Sequence, residues 1–270
     1  MKKFYVITNT TKDPQLHITN KVCDLLQKKG CICKVEARGE ELTAGMECIL
    51  VLGGDGTMLR AARDYYEKDI PMIGVNIGTL GYLTEVELND LETTVEQLIE
   101  GQPAVEERMM LKGTLNDTME DVALNDIVIS RFSSIKLICF NIYVNGNLLN
   151  TYQADGVIVS TPTGSTAYNM SAGGPIVEPT ASMIVITPIC SHALNTSSIV
   201  LSADDEIVLE VGIGRDGSEQ EVMLSYDGEK NVAIHTGDKI SIKKAKDTTK
   251  LLKISKVSFL GILRKKMEGK

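Results

Sequence analysis

An all-apolar run that ends in a glycine-rich turn constrains the fold of this chain more than any other feature. Cys48-Ile49-Leu50-Val51-Leu52 contains no polar side chain, which is typical of a strand buried on both faces of a sheet. It leads directly into Gly53-Gly54-Asp55-Gly56-Thr57, after which residues 58–66 have a helical pattern. This order of strand, turn and helix predicts an open α/β sheet, which binds ligands at the carboxyl ends of its strands.

The first hundred residues repeat this alternation. Apolar strands are predicted at residues 4–8 and 71–75, and apolar residues at helical spacing occur at residues 18–26 and 91–99. The first of these helices is expected to end at Gly30, since glycine readily takes the conformation that closes a helix. The pattern favours a parallel sheet covered by helices.

After residue 103 the pattern changes to short strands separated by turns. Asn145-Gly146-Asn147 between two apolar segments is a strong hairpin signal. Further strands are predicted at residues 122–129, 156–160, 183–189, 206–211, 221–224 and 239–243. We therefore predict an α/β domain over residues 1–102 and a mostly antiparallel, β-rich domain over residues 103–255.

The last segment, residues 256–270, is expected to pack back on the first domain. Its apolar side chains would otherwise form a strip in water, and each would forgo about 1.5–3 kcal/mol of burial. That strip consists of Phe259, Ile262, Leu263 and Met267.

Charge and hydropathy exclude several partners. The 270 residues include 28 basic and 36 acidic side chains, for a net charge of −8, which argues against nucleic acid as a partner. No apolar run approaches the roughly 20 residues of a membrane span, and the apolar N-terminus is shorter than the ~7–15 residues of a signal-peptide core. We therefore expect a cytoplasmic protein that does not bind membranes.

The six cysteines form no C-x-x-C pair, which indicates reduced thiols.

The glycine-rich turn has the composition of a phosphate site. Its glycines let an anion approach backbone N–H groups, and the following helix offers its N-terminal dipole. An aspartate at such a site would repel phosphate, so a chemical role is expected for it. Asp55 could hold a metal that bridges phosphates, or accept a proton from an attacking hydroxyl. The alternative without chemistry is a tight turn with a helix-capping aspartate. Since no G-x-x-x-x-G-K-[ST] motif is present, metal and backbone must carry more of the phosphate charge.

Two further loops are candidates for ligand binding. Asn76-Ile77-Gly78-Thr79-Leu80-Gly81-Tyr82-Leu83 also follows a buried strand, so it should line the same sheet edge as the glycine-rich turn. Residues 161–168 are rich in small hydroxyl side chains and glycine, which can surround a nucleotide without filling its pocket. His192 and His235 are single histidines without a second ligand at metal spacing, so core or surface roles are predicted for them.

Taken together, these segments resemble the NAD kinase family. The resemblance is carried by residues 53–57, 76–83, 123–126, 155–168 and 227–228. The first segment is shared with diacylglycerol and sphingosine kinases, with a close version in phosphofructokinases, whereas residues 161–168 are far more particular to NAD kinases. The resemblance implies an NAD kinase/diacylglycerol kinase-like fold and a phosphotransferase that moves a phosphoryl group from ATP, or another donor, to the 2′-hydroxyl of the adenosine ribose of NAD. It also implies a divalent cation, with Mg²⁺ expected, and self-association into homo-dimers or homo-tetramers.

The resemblance also implies roles for individual residues. Asp55 matches the general base, beside the phosphate-loop residues Gly53, Gly54 and Thr57. Asn125 and Asp126 match an Asn-Glu pair that grips NAD, with an acid one methylene shorter in this chain. The full set of implied NAD or nucleotide contacts is Asp55, Gly56, Arg60, Asn125, Asp126, Lys136, Gln153, Asp155, Thr166, Ala167, Tyr168, Asn169, Met170, Ser171 and Glu229. Of these, Glu229 stands where many relatives have Gln. No protein ligand for a metal is assigned.

Two alternatives remain open at this point. A lipid kinase could share the Gly-Gly-Asp-Gly-Thr loop, but it would not explain residues 161–168, and the sequence has no obvious basic membrane-binding helix. A regulator that binds NAD(P) without turnover is the second alternative, although an intact Asp55 argues against it.

Overall fold

A computed structural model describes residues 1–78, 81–132, 136–191, 197–255 and 257–268 of the chain. The helices of these residues are α1 (His17–Lys28), α2 (Asp55–Tyr65), α3 (Leu91–Glu100), α4 (Tyr168–Ser171) and α5 (Phe259–Met267). The strands are β1 (Lys3–Thr8), β2 (Ile32–Val35), β3 (Cys48–Gly53), β4 (Met72–Asn76), β5 (Val86–Glu87), β6 (Ala104–Arg108), β7 (Leu111–Leu115), β8 (Met119–Ala123), β9 (Asp126–Arg131), β10 (Ile138–Val144), β11 (Asn147–Ala154), β12 (Gly156–Ser160), β13 (Met183–Ile189), β14 (Ile199–Ser202), β15 (Ile207–Val211), β16 (Glu221–Tyr226), β17 (Lys230–His235), β18 (Lys239–Lys244) and β19 (Thr249–Lys253). In the part of the chain covered by these ranges, no helix is long and apolar enough to cross a membrane.

The chain divides into two compact units. The first unit contains Met1–Arg108 and the chain from Thr248 onward, and the second contains Met109–Asp247. The sequence predicted the boundaries between these units after residues 102 and 255, whereas the units meet after Arg108 and Asp247. The boundaries differ because β19 pairs with β6 and with β4, so that both β6 and β19 belong to the sheet of the first unit.

The first unit is a parallel sheet with covering helices. Its strand order is β2-β1-β3-β4-β19-β6, with β5 beside β4, and only β6 is antiparallel to its neighbour among these pairings. All residues of β3 are buried, as its unbroken apolar pattern predicts. Helix α1 ends as expected near Gly30, which has φ +75°. Thus the predicted α/β architecture is confirmed.

The second unit consists of antiparallel sheets that share one apolar core. One sheet has the order β11-β10-β15-β18-β7-β8 and the other the order β14-β13-β12-β9-β16-β17. The predicted hairpin joins β10 and β11 through Asn145 and Gly146, which have φ values of +49° and +77°. These values fit the two-residue hairpin turn that Asn-Gly favours. The mostly antiparallel β architecture is confirmed for this unit.

One predicted strand is wrong. Residues 122–129 were expected to form a continuous strand, but the structure divides them between β8 and β9, which lie in different sheets. The break falls at Leu124 and Asn125, whose backbone N–H groups donate to the Asp227 carboxylate instead of to a neighbouring strand.

The C-terminal segment returns to the first unit through strand pairing, whereas a buried apolar strip was expected to hold it there. The pairing of β19 brings the chain back to the first unit, while α5 has no buried residue. Of the strip that was expected to be buried, Phe259, Ile262 and Leu263 are half-buried and Met267 is 76% exposed. Helix α5 contacts the second loop, residues 76–83, through Lys266. The ammonium of Lys266 is 4.2 Å from the ring centroid of Tyr82.

Candidate functional site

The glycine-rich turn joins β3 to α2 in the first unit. Gly54 has extended backbone angles and precedes the first turn of α2, which starts at Asp55. Because a Cβ at Gly53 would collide with the Thr57 hydroxyl, the turn can close only with glycine at this position. The Thr57 hydroxyl in turn accepts a hydrogen bond of 3.3 Å from the Asn9 carboxamide, which joins the turn to the loop after β1.

The carboxylate of Asp55 is oriented by the backbone of the second loop. Its Oδ2 accepts the N–H of Tyr82 at 2.8 Å and its Oδ1 accepts the N–H of Leu83 at 2.9 Å. Gly81 allows this approach, since a Cβ there would collide with the carboxylate. The alternative in which Asp55 merely caps the helix is wrong, because Gly54 is the cap residue and no side chain caps this helix end.

The prediction that the two loops lie at one sheet edge is confirmed. Gly53 pairs with Asn76 in the parallel ladder, and the N–H of Ile77 donates to the carbonyl of Gly53 at 3.2 Å. Two residues of the second loop, Thr79 and Leu80, lie outside the described residues.

Arg60 lies one turn along α2 and is engaged by carboxylates. Its terminal nitrogens donate to both oxygens of Glu36 at 3.0 and 2.8 Å, and Asp64 lies 3.5 Å from one of them. Such a two-pronged arginine–carboxylate pair is geometrically specific. The predicted nucleotide contact of Arg60 would require a ligand to compete with this pair.

In the second unit, Asp227 shapes the segment that holds two predicted contacts. It has φ +51° in the turn between β16 and β17, and its carboxylate accepts the N–H groups of Leu124, Asn125 and Asp126 at 2.9, 2.7 and 3.2 Å. Sequence reasoning noted Asp227 only as part of a motif. An Asp-Gly pair between two strands signals the hairpin turn, but not the distant backbone it would bind.

Asp126 is buried beside this second carboxylate. It is 5% exposed, and burial, followed by the charge of Asp227, raises its pKa to about 7. Within the described residues its carboxylate accepts no hydrogen bond, although its backbone N–H is bonded to Asp227. A buried carboxyl whose pKa is raised by burial and by a second carboxylate is typical of functional sites.

The turn that follows β12 is fastened to the same segment. The hydroxyl of Thr161 donates to the carbonyl of Leu124 at 2.6 Å and accepts the N–H of Gly164 at 3.0 Å, while the Thr161 N–H donates to Asn125 at 2.8 Å. A Cβ at Gly164 would collide with the backbone of Asn125. Two of the segments that carry the family resemblance are therefore adjacent.

Residues 166–171 run from the end of a 3₁₀ turn through Ala167 into α4, and their side chains differ in exposure. Tyr168, Met170 and Ser171 are exposed, whereas Thr166 is buried and Ala167 half-buried. Asn169 is completely buried.

The side chain of Asn169 serves the loop itself. Its amide nitrogen donates to the carbonyls of Ser165 and Pro175 at 3.2 and 2.9 Å, and its oxygen accepts the Thr187 hydroxyl at 2.6 Å. In this arrangement both of its N–H donors are used internally, so the exposed neighbours have the better access to a ligand.

Tyr168, Asp126 and Asp155 share one neighbourhood. Burial raises the pKa of Tyr168, with further contributions from Cys190, Asp126 and Asp155. Asp155 is also paired with Arg131, whose Nε lies 3.2 Å from its carboxylate.

Lys136 and Gln153 line a cavity of about 770 Å³ in the second unit, which Asp126, Asp155 and Tyr168 do not line. Lys136 is ion-paired with Asp216 at 2.7 Å, and this contact lowers the pKa of Asp216 and raises that of Lys136. Glu229 is exposed in the turn that contains Asp227. The predicted ligand contacts of Lys136 and Gln153 therefore lie at a cavity whose lining does not include the predicted contacts Asp126, Asp155 and Tyr168.

In the described part of the chain, no group of three or more His, Cys, Asp or Glu side chains is placed to hold a metal ion. His235 is exposed on β17, and His192 lies outside the described residues.

The chain is similar to known proteins over its full length. It matches the ATP-NAD kinase N-terminal domain over residues 35–103 and the ATP-NAD kinase C-terminal domain over residues 124–254. It is 45% identical to an NAD kinase of Lachnospira eligens, with 99% of this chain and 100% of that protein covered. An NAD kinase of Caldanaerobacter subterraneus subsp. tengcongensis is 40% identical, with 99% of both proteins covered.

Solved structures share the fold. Yeast NADH kinase complexed with NADH superposes with a TM-score of 0.88 at 21% identity, over 99% of this chain and 88% of that one. An NAD kinase from Archaeoglobus fulgidus in complex with ATP gives a TM-score of 0.80 at 24% identity, over 97% of this chain and 98% of that one.

Proposed function

Since this chain belongs to the NAD kinase family, we propose that it transfers the γ-phosphoryl group of ATP to the 2′-hydroxyl of the adenosine ribose of NAD and so produces NADP. The observation that carries this proposal is the placement of Asp55, whose carboxylate is held at the glycine-rich turn by two backbone N–H groups. The names of the full-length relatives support NAD as the acceptor.

Asp55 acts as the general base. A ribose hydroxyl is a poor nucleophile until its proton has an acceptor, and each carboxylate oxygen keeps a lone pair after accepting one backbone N–H. In the reaction a bond forms between the 2′-oxygen and the γ-phosphorus, the bond from that phosphorus to ADP breaks, and the hydroxyl proton passes to Asp55. The two backbone hydrogen bonds fix the direction from which the carboxylate receives it.

Recognition of NAD is assigned to the second unit. Asp126 is buried, and its carboxylate accepts no hydrogen bond from the described residues, so it is available to accept one from a ligand hydroxyl. Tyr168 and Met170, both exposed in the 166–171 segment, offer apolar surface for the base and ribose. Asp155, Asn125, Thr166, Ala167 and Ser171 complete the proposed contacts.

A divalent cation, with Mg²⁺ expected, would neutralise phosphate charge in such a transfer. The described residues contain no cluster of protein ligands that fits a dedicated cation site, so we assign the cation to the phosphates of ATP and no step to it. The family resemblance further supports a cytoplasmic homo-dimer or homo-tetramer, which sedimentation measurements would test.

The proposal is tested by incubating the protein with NAD, ATP and Mg²⁺ and measuring NADP. Asp24→Asn, at an exposed position on α1, is a control that should leave turnover unchanged. Formation of NADP supports the proposal, whereas folded protein that phosphorylates diacylglycerol instead would establish the lipid-kinase alternative. Protein that binds NAD and has neither activity would establish the regulator.

A further inference from the structure

The loop between β1 and α1 places Lys12 close to the glycine-rich turn and to the loop of residues 76–83, which are together called the glycine loops. A Cβ at Gly78 would collide with the Lys12 ammonium, and a Cβ at Gly54 would lie 3.6 Å from it. The side chain of Lys12 therefore approaches the backbone of two separate loops, and the absence of a side chain at Gly78 gives it that space. Asp55 belongs to the first of these loops and is hydrogen-bonded to the second.

The backbone of Lys12 is fixed by Asn9. The Asn9 side-chain oxygen accepts the N–H groups of Thr11 and Lys12 at 3.1 and 3.2 Å, and its carbonyl accepts the N–H of Lys12 at 3.0 Å. The amide nitrogen of the same side chain donates to Thr57 in the glycine-rich turn. Lys12 is thus tied to the turn through a single intermediate residue.

The other side of the loop is held by Asp13. Its buried carboxylate accepts the N–H groups of Ile18 and Thr19 at 3.3 and 2.9 Å and the Thr19 hydroxyl at 2.7 Å. These bonds anchor the residue after Lys12 to the start of α1. Lys12 itself is exposed to solvent.

Charge balance distinguishes Lys12 from Arg60. Arg60 is engaged with Glu36 and Asp64. The Lys12 ammonium, in contrast, has no ion pair or hydrogen bond with any residue in the described ranges. It is therefore a cation at the glycine loops whose charge is not already compensated by a carboxylate of the described chain.

We propose that Lys12 binds the phosphate groups of the phosphoryl donor, a nucleoside triphosphate. This inference rests on the proposed function. The ammonium is a compact charge with three donors, which suits phosphate oxygens. Lys12 transfers no proton: while the 2′-oxygen bonds to the γ-phosphorus and the bond to the diphosphate breaks, its charge balances the negative charge that collects on the leaving oxygens. It supplies from another loop the cation that the glycine-rich turn lacks in its own sequence.

The test compares Lys12→Met and Lys12→Arg with Lys21→Met, a control at an exposed position on α1. Steady-state kinetics give kcat and separate KM values for ATP and NAD. A charge-assisted hydrogen bond is worth roughly 1.5–3 kcal/mol, so KM for ATP should rise by about tenfold or more in Lys12→Met. The KM for NAD should stay near its original value, Lys12→Arg should recover part of the loss, and Lys21→Met should behave as the unmodified protein.

Calorimetric titration with ATP, without NAD, separates this inference from the proposed function. Weaker ATP binding by Lys12→Met than by Lys21→Met supports the role of Lys12 even if no NADP is formed. Unchanged ATP binding overturns it. A loss confined to KM for NAD also overturns it, because Lys12 would then bind the acceptor. Melting temperatures of the variants verify that each is folded.

Discussion

The two units each hold one aspartate that the proposed reaction needs, and their surroundings differ in kind. Asp55 in the first unit accepts hydrogen bonds from two backbone N–H groups, which orient it without adding charge. Asp126 in the second unit is buried next to the carboxylate of Asp227, and its pKa rises to about 7. Under the proposed function, backbone donors orient the carboxylate that accepts a proton, whereas burial next to a second carboxylate sets apart the one that binds the ligand.

Replacement of Asp55 should have the largest effect. Asp55→Asn keeps the shape of the side chain but provides a far weaker base, and loss of general-base catalysis costs about 10² to 10⁴ in rate. We expect kcat to fall by that factor while calorimetry shows NAD binding retained. Near-normal kcat would remove Asp55 from the chemistry and leave the two aspartates without distinct roles.

Replacement of Asp126 should chiefly weaken the binding of NAD. Since a charge-assisted hydrogen bond is worth roughly 1.5–3 kcal/mol, KM for NAD should rise by about tenfold or more in Asp126→Ala, with a smaller change in kcat. The same kinetic measurements on Asp24→Asn provide the control. If KM for NAD does not change, the shorter acid does not reach the ligand.

The pH dependence should separate the two aspartates further. A carboxyl whose pKa is raised in the folded chain stabilises that state fully below its usual value of 3.8, and this contribution is lost as the pH rises through about 7. The ligand-free protein should therefore lose stability over this range, and Asp126→Asn should lose less. Thermal unfolding measured across the range is the test, and identical pH profiles for both proteins would contradict the raised pKa.

As the pH rises, the affinity for NAD should increase while the stability of the ligand-free protein decreases. Ligand hydroxyls bond more strongly to an ionised carboxylate than to a neutral carboxyl, by about 1 kcal/mol. The affinity should therefore rise about fivefold as the pH passes through the pKa of Asp126, and calorimetry should show proton release on binding. Both effects should be absent in Asp126→Asn.

Removal of the C-terminal helix should have the smallest effect. Deletion from residue 257 removes no buried side chain of α5, but it removes the contact of Lys266 with Tyr82, next to the backbone that holds Asp55. Such a cation–π contact is worth about 0.5–1 kcal/mol at exposed sites, so we expect a slight fall in melting temperature and in kcat. Lys266→Met should reproduce most of the change in kcat, and a collapse of the fold on truncation would show that α5 contributes more than its exposure indicates.

Local patterns in the sequence were sufficient for the elements around the sites. The apolar run of β3, the glycine-rich turn and the start of α2 are neighbours in the chain, so their order predicts the strand, turn and helix that the structure contains. The Asn145–Gly146 turn is local in the same sense. The family motifs added residues whose chemistry no periodicity would single out, among them Asp126.

Only the tertiary structure decided how those residues are held, because the partners are far apart in the chain. Asp227 interrupts the expected strand at Leu124 from about a hundred positions away. Lys12 reaches the glycine loops from a separate connection, and Glu36 occupies Arg60. The sequence by itself determined the sheet, the turns and the candidate side chains, since these depend on neighbouring residues. The orientation of Asp55, the burial of Asp126 and the positions of the cations depend on contacts that exist only once the chain has folded.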